Sequence, residues 1–117
     1  MATFTKVLLS GSTQGKGIKV VQTATAGTTI HTAVSGTSSI DEVWLYAHNT
    51  SSAAVKLTLE WGEASAPDGN IEINIGAEGT GLILIAPGIP LQNGLVIKAF
   101  AATANVINIF GYVNRIA

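Results

Sequence analysis

At 117 residues the chain has the length of one domain, enough to bury roughly 65% of the surface its unfolded form exposes, with no room for a second. Hydrophobic residues make up 47% and charged residues only 11%, under half the roughly 25% usual in soluble globular chains, so part of the surface is expected to be covered by other chains. Six Lys and Arg stand singly against seven Asp and Glu for a net charge of −1, which excludes the clustered positive charge of nucleic-acid binding, and the absence of cysteine excludes disulfides and thiolate metal sites.

The opening Met1-Ala2-Thr3-Phe4-Thr5-Lys6 lacks a basic segment followed by a long apolar core, so no secretory signal is expected. No apolar run approaches the ~18 residues of a membrane span. The expectation is a soluble chain made in a cytoplasm, with neither membrane nor nucleic acid among its partners.

Phe4 to Leu9 reads as a first strand, closed by Ser10-Gly11-Ser12 and a Gly15-Lys16-Gly17 turn. A second runs from Ile18 to Gln22. Thr23 to Thr29 is extended without alternation, Thr28 to Val34 reads as a third strand anchored by Ile30, and Ser35 to Ser39 is a loop of small polar residues. Glu42 to Gly62 then reads as a long β-hairpin around the polar turn Asn49-Thr50-Ser51-Ser52. In its second arm Val55, Leu57, Leu59 and Trp61 alternate with Lys56, Thr58 and Glu60, the pattern of a strand with one wet face. In its first arm Val43, Leu45 and Ala47 oppose Trp44, Tyr46 and His48, so neither face is suited to water and both need a cover.

Pro67-Asp68-Gly69 favours a turn, and Asn70 to Ile75 alternates cleanly between isoleucines and polar residues. Leu82 to Ala86 is continuously apolar, and Pro87-Gly88-Ile89-Pro90 is expected to stop it, because proline cannot donate to a sheet ladder. Asn93-Gly94 makes a tight turn into Leu95 to Ala101, and Asn105 to Val113 supplies the last strand. With about eight or nine strands and no helical period, residues 1 to 117 are expected to form one all-β unit: an antiparallel β-sandwich, jelly-roll-like.

No catalytic constellation stands out, so the chain does not read as an enzyme. Gly11-Ser12-Thr13-Gln14-Gly15-Lys16-Gly17 superficially resembles a phosphate-binding loop. It has three residues in place of four between the first Gly and the Gly-Lys pair, Gly17 stands where a magnesium-holding hydroxyl belongs, and no helix follows. His31 and His48, the only histidines, fall in different strands and short of the three or four ligands of a zinc site. His48 reads as a half-buried or interfacial residue and His31 as a surface one. Glu60 and Glu72 lie on polar strand faces and would act as a glycosidase pair only if they faced one another in a cleft; solvated faces explain both. Asn49-Thr50-Ser51 matches a glycosylation sequon, which has no weight without a secretory signal. No catalytic, cofactor or metal site is expected. Trp44 and Tyr46 fit a two-sided core, a protein interface or a sugar-stacking platform.

The stretches VWLYAHNTSSAAVKLTLEWG, LILIAPGIPLQNG and LVIKAFAATANVINIFGYVNRI, covering about Val43 to Ile116, together resemble the small all-β structural proteins of tailed-bacteriophage virions. That resemblance implies a capsid decoration or cement protein, often a trimer, that binds across junctions of the major capsid protein on the virion surface after assembly in the host cytoplasm. It requires no cofactor. In such a role the segment from Ala2 to Gln22, a chain end able to reach across subunit boundaries, would contact the capsid, through Phe4, Lys6, Leu8, Lys16 and Lys19. Trp44, Tyr46, His48, Phe100 and Phe110 would join protomers. The alternative is a tail, spike or host-adhesion component that binds a glycan or protein receptor.

Overall fold

Period-two alternation places nine strands along residues 3–117, the part of the chain that this computed structural model describes: β1 Phe4–Leu8, β2 Ile18–Lys19, β3 Thr28–Thr32, β4 Ile40–Asn49, β5 Val55–Trp61, β6 Asn70–Ile75, β7 Ile83–Leu91, β8 Val96–Ala101 and β9 Ile107–Ile116. A single 3-10 turn at Glu78–Thr80 interrupts them. β5 pairs with β6, β4 with β7, β3 with β8 and β1 with β9, all antiparallel. These four pairs are nested around the loop between β5 and β6, like one long ribbon folded at its middle. Rolling the ribbon sorts its strands into sheet I, ordered β1-β9-β4-β7 with β2 beside β9, and sheet II, ordered β3-β8-β5-β6. This is the strand order of a jelly roll, so the expected all-β sandwich is present in its finer form as well.

The hairpin expected at Glu42–Gly62 is absent. β4 belongs to sheet I and β5 to sheet II, and the segment between them arches across the sandwich. The cause is Asn49, which is fully buried. Its amide nitrogen donates to the carbonyls of Ala53 at 2.8 Å and Ile75 at 3.1 Å, and its oxygen accepts from the Ser51 backbone N–H at 2.9 Å. These bonds satisfy the amide in the interior and draw the chain toward β6 of the other sheet. The sequon asparagine is thereby enclosed.

The stop expected at Pro87–Pro90 is also missing, since β7 runs through both prolines to Leu91. β7 is an edge strand, where a missing N–H faces outward, and register shifts at Val43/Trp44 and Leu45/Tyr46 absorb the irregularity. The last strand extends past Val113 to Ile116, while the second is shorter than Ile18 to Gln22. The Asn93-Gly94 turn is formed as expected, with φ of 63° and 66° at its two residues.

Inward-facing Val43, Leu45, Ala47, Ile107, Ile109 and Val113 of sheet I meet Leu57, Leu59, Ile97 and Ala99 of sheet II, all fully buried. Each large aliphatic side chain so enclosed contributes roughly 1.5–3 kcal/mol. Gly111 lets β9 approach β4 closely, because any side chain there would collide with the Trp44 carbonyl.

At the opposite end of β4 from Asn49, a second buried polar group ties the sheets. Asp41 accepts from Arg115 Nε at 2.7 Å and Nη2 at 3.0 Å, from Val34 N at 3.0 Å and from His31 Nε2 at 2.8 Å. His31 Nδ1 in turn accepts from Ser10 N at 3.0 Å, which leaves the ring proton on Nε2. His31, expected at the surface, is therefore 1% exposed; its Nε2 joins β3 of sheet II to β4 of sheet I, and its Nδ1 holds the loop after β1. Burial alone would raise the Asp41 carboxyl, but the Arg115 and His31 hydrogen bonds and the Arg115 charge outweigh it and hold the group below the ordinary carboxylate range. The same pairing raises Arg115.

Glu60, expected in solvent, is 1% exposed. Its carboxylate accepts from the Thr25 hydroxyl at 2.9 Å and from Gly27 N at 2.7 Å. The unpatterned Thr23–Thr29 stretch supplies this cover: it crosses the outer side of sheet II so closely that a side chain at Gly27 would collide with the Ala99 backbone. Among the described residues no helix is long and apolar enough to cross a membrane.

Candidate interaction face

The site begins with strand parity. In β4 the odd-numbered residues from Asp41 to Asn49 are buried and the even-numbered ones are half-buried, so Glu42, Trp44, Tyr46 and His48 point away from the core on the outer side of sheet I. Cross-strand register aligns them in rows. Phe4, Ile116 and Ile40 form one row across β1, β9 and β4; Lys6, Asn114 and Glu42 the next; then Leu8, Tyr112 and Trp44. Beyond them Phe110 and Tyr46 are followed by Leu84 of β7, and His48 lies opposite Asn108.

The result is a continuous apolar face. Of the eight exposed large hydrophobic residues described, Phe4, Leu8, Ile40, Leu82, Leu84 and Phe110 lie on it, with Phe4 at 70%, Leu82 at 58% and Leu8 at 55% exposure. Only Val21 and Leu95 lie elsewhere. His48, Gly81, Leu82 and Phe110 line a shallow depression of about 410 Å³, and His48 Nε2 is 3.2 Å from the Glu78 carbonyl.

The centre of the face is ordered by its own contacts. Trp44 and Tyr112 stack with ring centroids 6.3 Å apart and planes inclined by 11°, and Lys6 Nζ sits 4.5 Å from the Tyr112 centroid. Such geometry suits aromatic stacking and a cation–π contact. Trp44 Nε1 donates to Glu42 Oε1 at 2.8 Å and Asn114 Nδ2 donates to the same oxygen at 3.2 Å. These two bonds, the tryptophan's first, lower the Glu42 carboxyl from its ordinary value.

Two groups of residues expected to serve different partners therefore share one surface. Phe4, Lys6 and Leu8 of the expected capsid contact lie beside Trp44, Tyr46, His48 and Phe110 of the expected protomer contact. Lys19, opposite Asn108, and Lys16, in the exposed turn before it, border the same side. Ala2, which heads the expected shell-binding segment, lies outside the described residues. Phe100 is separated from the rest. It points outward from β8 in sheet II, opposite Thr58, and borders a hollow with Thr23, Lys56 and Glu72.

Sequence reasoning missed Ile40, Leu82, Leu84 and Tyr112. For Tyr112 the signal was there, because Phe110, Tyr112, Asn114 and Ile116 alternate with inward residues. Leu82 and Leu84 belong to a run whose two faces are equally apolar, and periodicity cannot choose between them.

Candidates for chemistry are not assembled. Among the described residues no three His, Asp or Glu are grouped to hold a metal ion. Glu60 and Glu72 lie on adjacent strands of sheet II, but Glu60 is held by Thr25 and Gly27 while exposed Glu72 pairs with Lys56 at 3.1 Å. No family of known proteins matches the chain, nor does any curated protein or solved structure.

Proposed function

We propose that this protein is a structural component of a tailed-phage virion, a capsid decoration protein that acts by binding, with the outer face of sheet I as its contact surface. The observation that carries the reading is the continuity of that apolar face in a chain with so few charges. A monomer rarely leaves so many large apolar side chains together in water, and burying them against a partner is favourable by ~25 cal/mol per Å². Seated across a junction of major capsid subunits, the face would join neighbouring subunits without any catalytic step. Oligomerisation, as a trimer, belongs to the same proposal.

Bringing Phe4 and Leu8 next to Trp44 and Phe110 simplifies the assignment: the N-terminal strand and the aromatic strand form a single footprint on the shell. A glycan-binding role in a tail or spike would use the same face, but stacking on sugars needs free ring faces. Trp44 and Tyr112 face each other and Lys6 lies over Tyr112, while the most exposed groups are aliphatic or at the β1 margin. That arrangement favours a protein partner.

Electron microscopy of purified particles from a host producing this chain tests the proposal. Density for it on the head surface, lost in a Leu82→Ser, Leu84→Lys double variant that remains folded, is the expected result. Heads without the chain, or a position confined to the tail, would overturn it.

A further inference from the structure

The sheet edges differ in what they leave open. β7 carries Pro87, Pro90 and two register shifts. β3 is irregular between Thr29 and His31, and its free backbone groups are occupied, Ile30 O by Gly11 N at 2.9 Å and Thr32 N by Ser10 Oγ at 2.7 Å. β1 carries exposed Lys6 at its middle. Prolines, irregularities and edge lysines are the usual means by which sheets resist further pairing. β6 is built differently: six residues without Pro or Gly, in unbroken register with β5, and its one charge, Glu72, is balanced by Lys56 on the neighbouring strand.

The direction of its free hydrogen-bonding groups follows from the ladder. Trp61 N donates to Gly69 O at 2.8 Å, so these two residues form a hydrogen-bonded pair. Alternation along an antiparallel ladder puts Leu59–Ile71, Leu57–Ile73 and Val55–Ile75 in the same class. The backbone groups of Ile71, Ile73 and Ile75 thus point at β5. Those of Glu72 and Asn74 point outward, where no strand among the described residues meets them.

We infer that β6 pairs antiparallel with β6 of a second copy, about a two-fold axis through Ile73, so that sheet II continues across two protomers. Charge and overlap select this register, because axes through Ile71 or Asn74 would pair fewer residues of the six-residue strand. An axis through Glu72 would set that carboxylate opposite its own copy, which is unfavourable, whereas an axis through Ile73 sets Glu72 opposite Asn74 of the other copy. The same register places Ile73 against Ile73 and Ile71 against Ile75 on the core side, covering Ile71 and Ile73, which are half-exposed at the end of the sandwich, while Ile75 is already buried. A slip of one residue would put isoleucines opposite polar side chains. Because the contact is two-fold it closes on itself. It lies on the edge of sheet II, away from the outer face of sheet I, and so goes beyond shell binding; alongside the trimer proposed above, it would join one trimer to another.

The chain has no cysteine, so introduced thiols report the pairing without background. Under mild oxidation Ile73→Cys should give a disulfide-linked dimer. A mixture of Glu72→Cys and Asn74→Cys protein should cross-link, whereas neither should cross-link alone. Asn74→Pro removes an N–H that serves no bond within the chain. Added to Ile73→Cys, it should leave the far-ultraviolet circular dichroism unchanged and abolish the dimer band. An Ile73→Cys protein that stays monomeric, or a Glu72→Cys protein that cross-links to itself, would overturn the inference.

Discussion

The outer faces of the two sheets solve the same problem in opposite ways. Sheet II presents Lys56, Thr58, Glu60 and Lys98 outward, a polar set beside one aromatic, Phe100, yet Glu60 is buried because the chain's own Thr23–Thr29 segment closes over it. Sheet I presents Trp44, Tyr46, Phe110, Leu84 and Leu8, an apolar set, and the described chain lays nothing comparable over it. Polarity alone is thus a poor guide to which face is covered. What decides is whether the chain can supply hydrogen-bond donors to a buried carboxylate, as Thr25 and Gly27 do, or leaves apolar area that only another molecule can remove from water.

The comparison can be broken most forcefully between the faces, at the tie that keeps them back to back. Asp41→Ala leaves Arg115, His31 and Val34 without their shared acceptor and is expected to cost about 3 kcal/mol in chemical denaturation. The same group sets an acid limit. Its folded-state value lies below that of the unfolded chain, so its contribution is complete above the unfolded carboxylate range near pH ~4 and is lost as pH falls through the folded value. Urea midpoints from pH 7 down to pH 3 should fall less steeply for Asp41→Asn than for the native chain.

Glu60→Ala removes the acceptor beneath the cover of sheet II, at an expected cost of about 2 kcal/mol, with faster amide exchange at Gly27 as its local sign. On sheet I, Trp44→Ala loses the Tyr112 stack and the Glu42 bond, for about 1 kcal/mol. Leu84→Lys, on the outer side and 46% exposed, should change stability by no more than about 0.5 kcal/mol while weakening association measured by sedimentation. If Leu84→Lys proved as destabilising as Glu60→Ala, the contrast between the faces would fail.

Much of the fold was legible because alternation is a local signal. Asn70–Ile75 and the strand after Asn93-Gly94 are where their patterns place them. The partnership of strands was not legible: β4 and β5 are neighbours in sequence with a polar turn between them, and only the bonds from Asn49 to Ala53 and Ile75 show that the turn is an arch. His31 and Glu60 were misplaced for a related reason. Each is a polar residue whose partners, Asp41 and Ser10 for one, Thr25 and Gly27 for the other, lie far along the chain or in a stretch without pattern. The aromatic strand is two-faced as its sequence implies, with Val43, Leu45 and Ala47 in the core and Trp44 and Tyr46 on the outer side. What alternation could not say was that β1 would be brought alongside it, because that depends on β9 lying between them.

The nesting of strand pairs around a single loop also bears on how the molecule assembles itself. β1 meets β9 across nearly the whole chain, a contact that a disordered polypeptide reaches slowly. With β5 and β6 already paired, however, each successive pair begins with its strands tethered by the one before, and the added entropy of loop closure grows only slowly with length. Closure can therefore advance like a zip from the centre of the sequence to its ends. Its kinetic signature would be higher φ-values at Leu59 and Ile73 than at Val7 and Val113, which makes β1, a margin of the apolar face, the last strand to arrive.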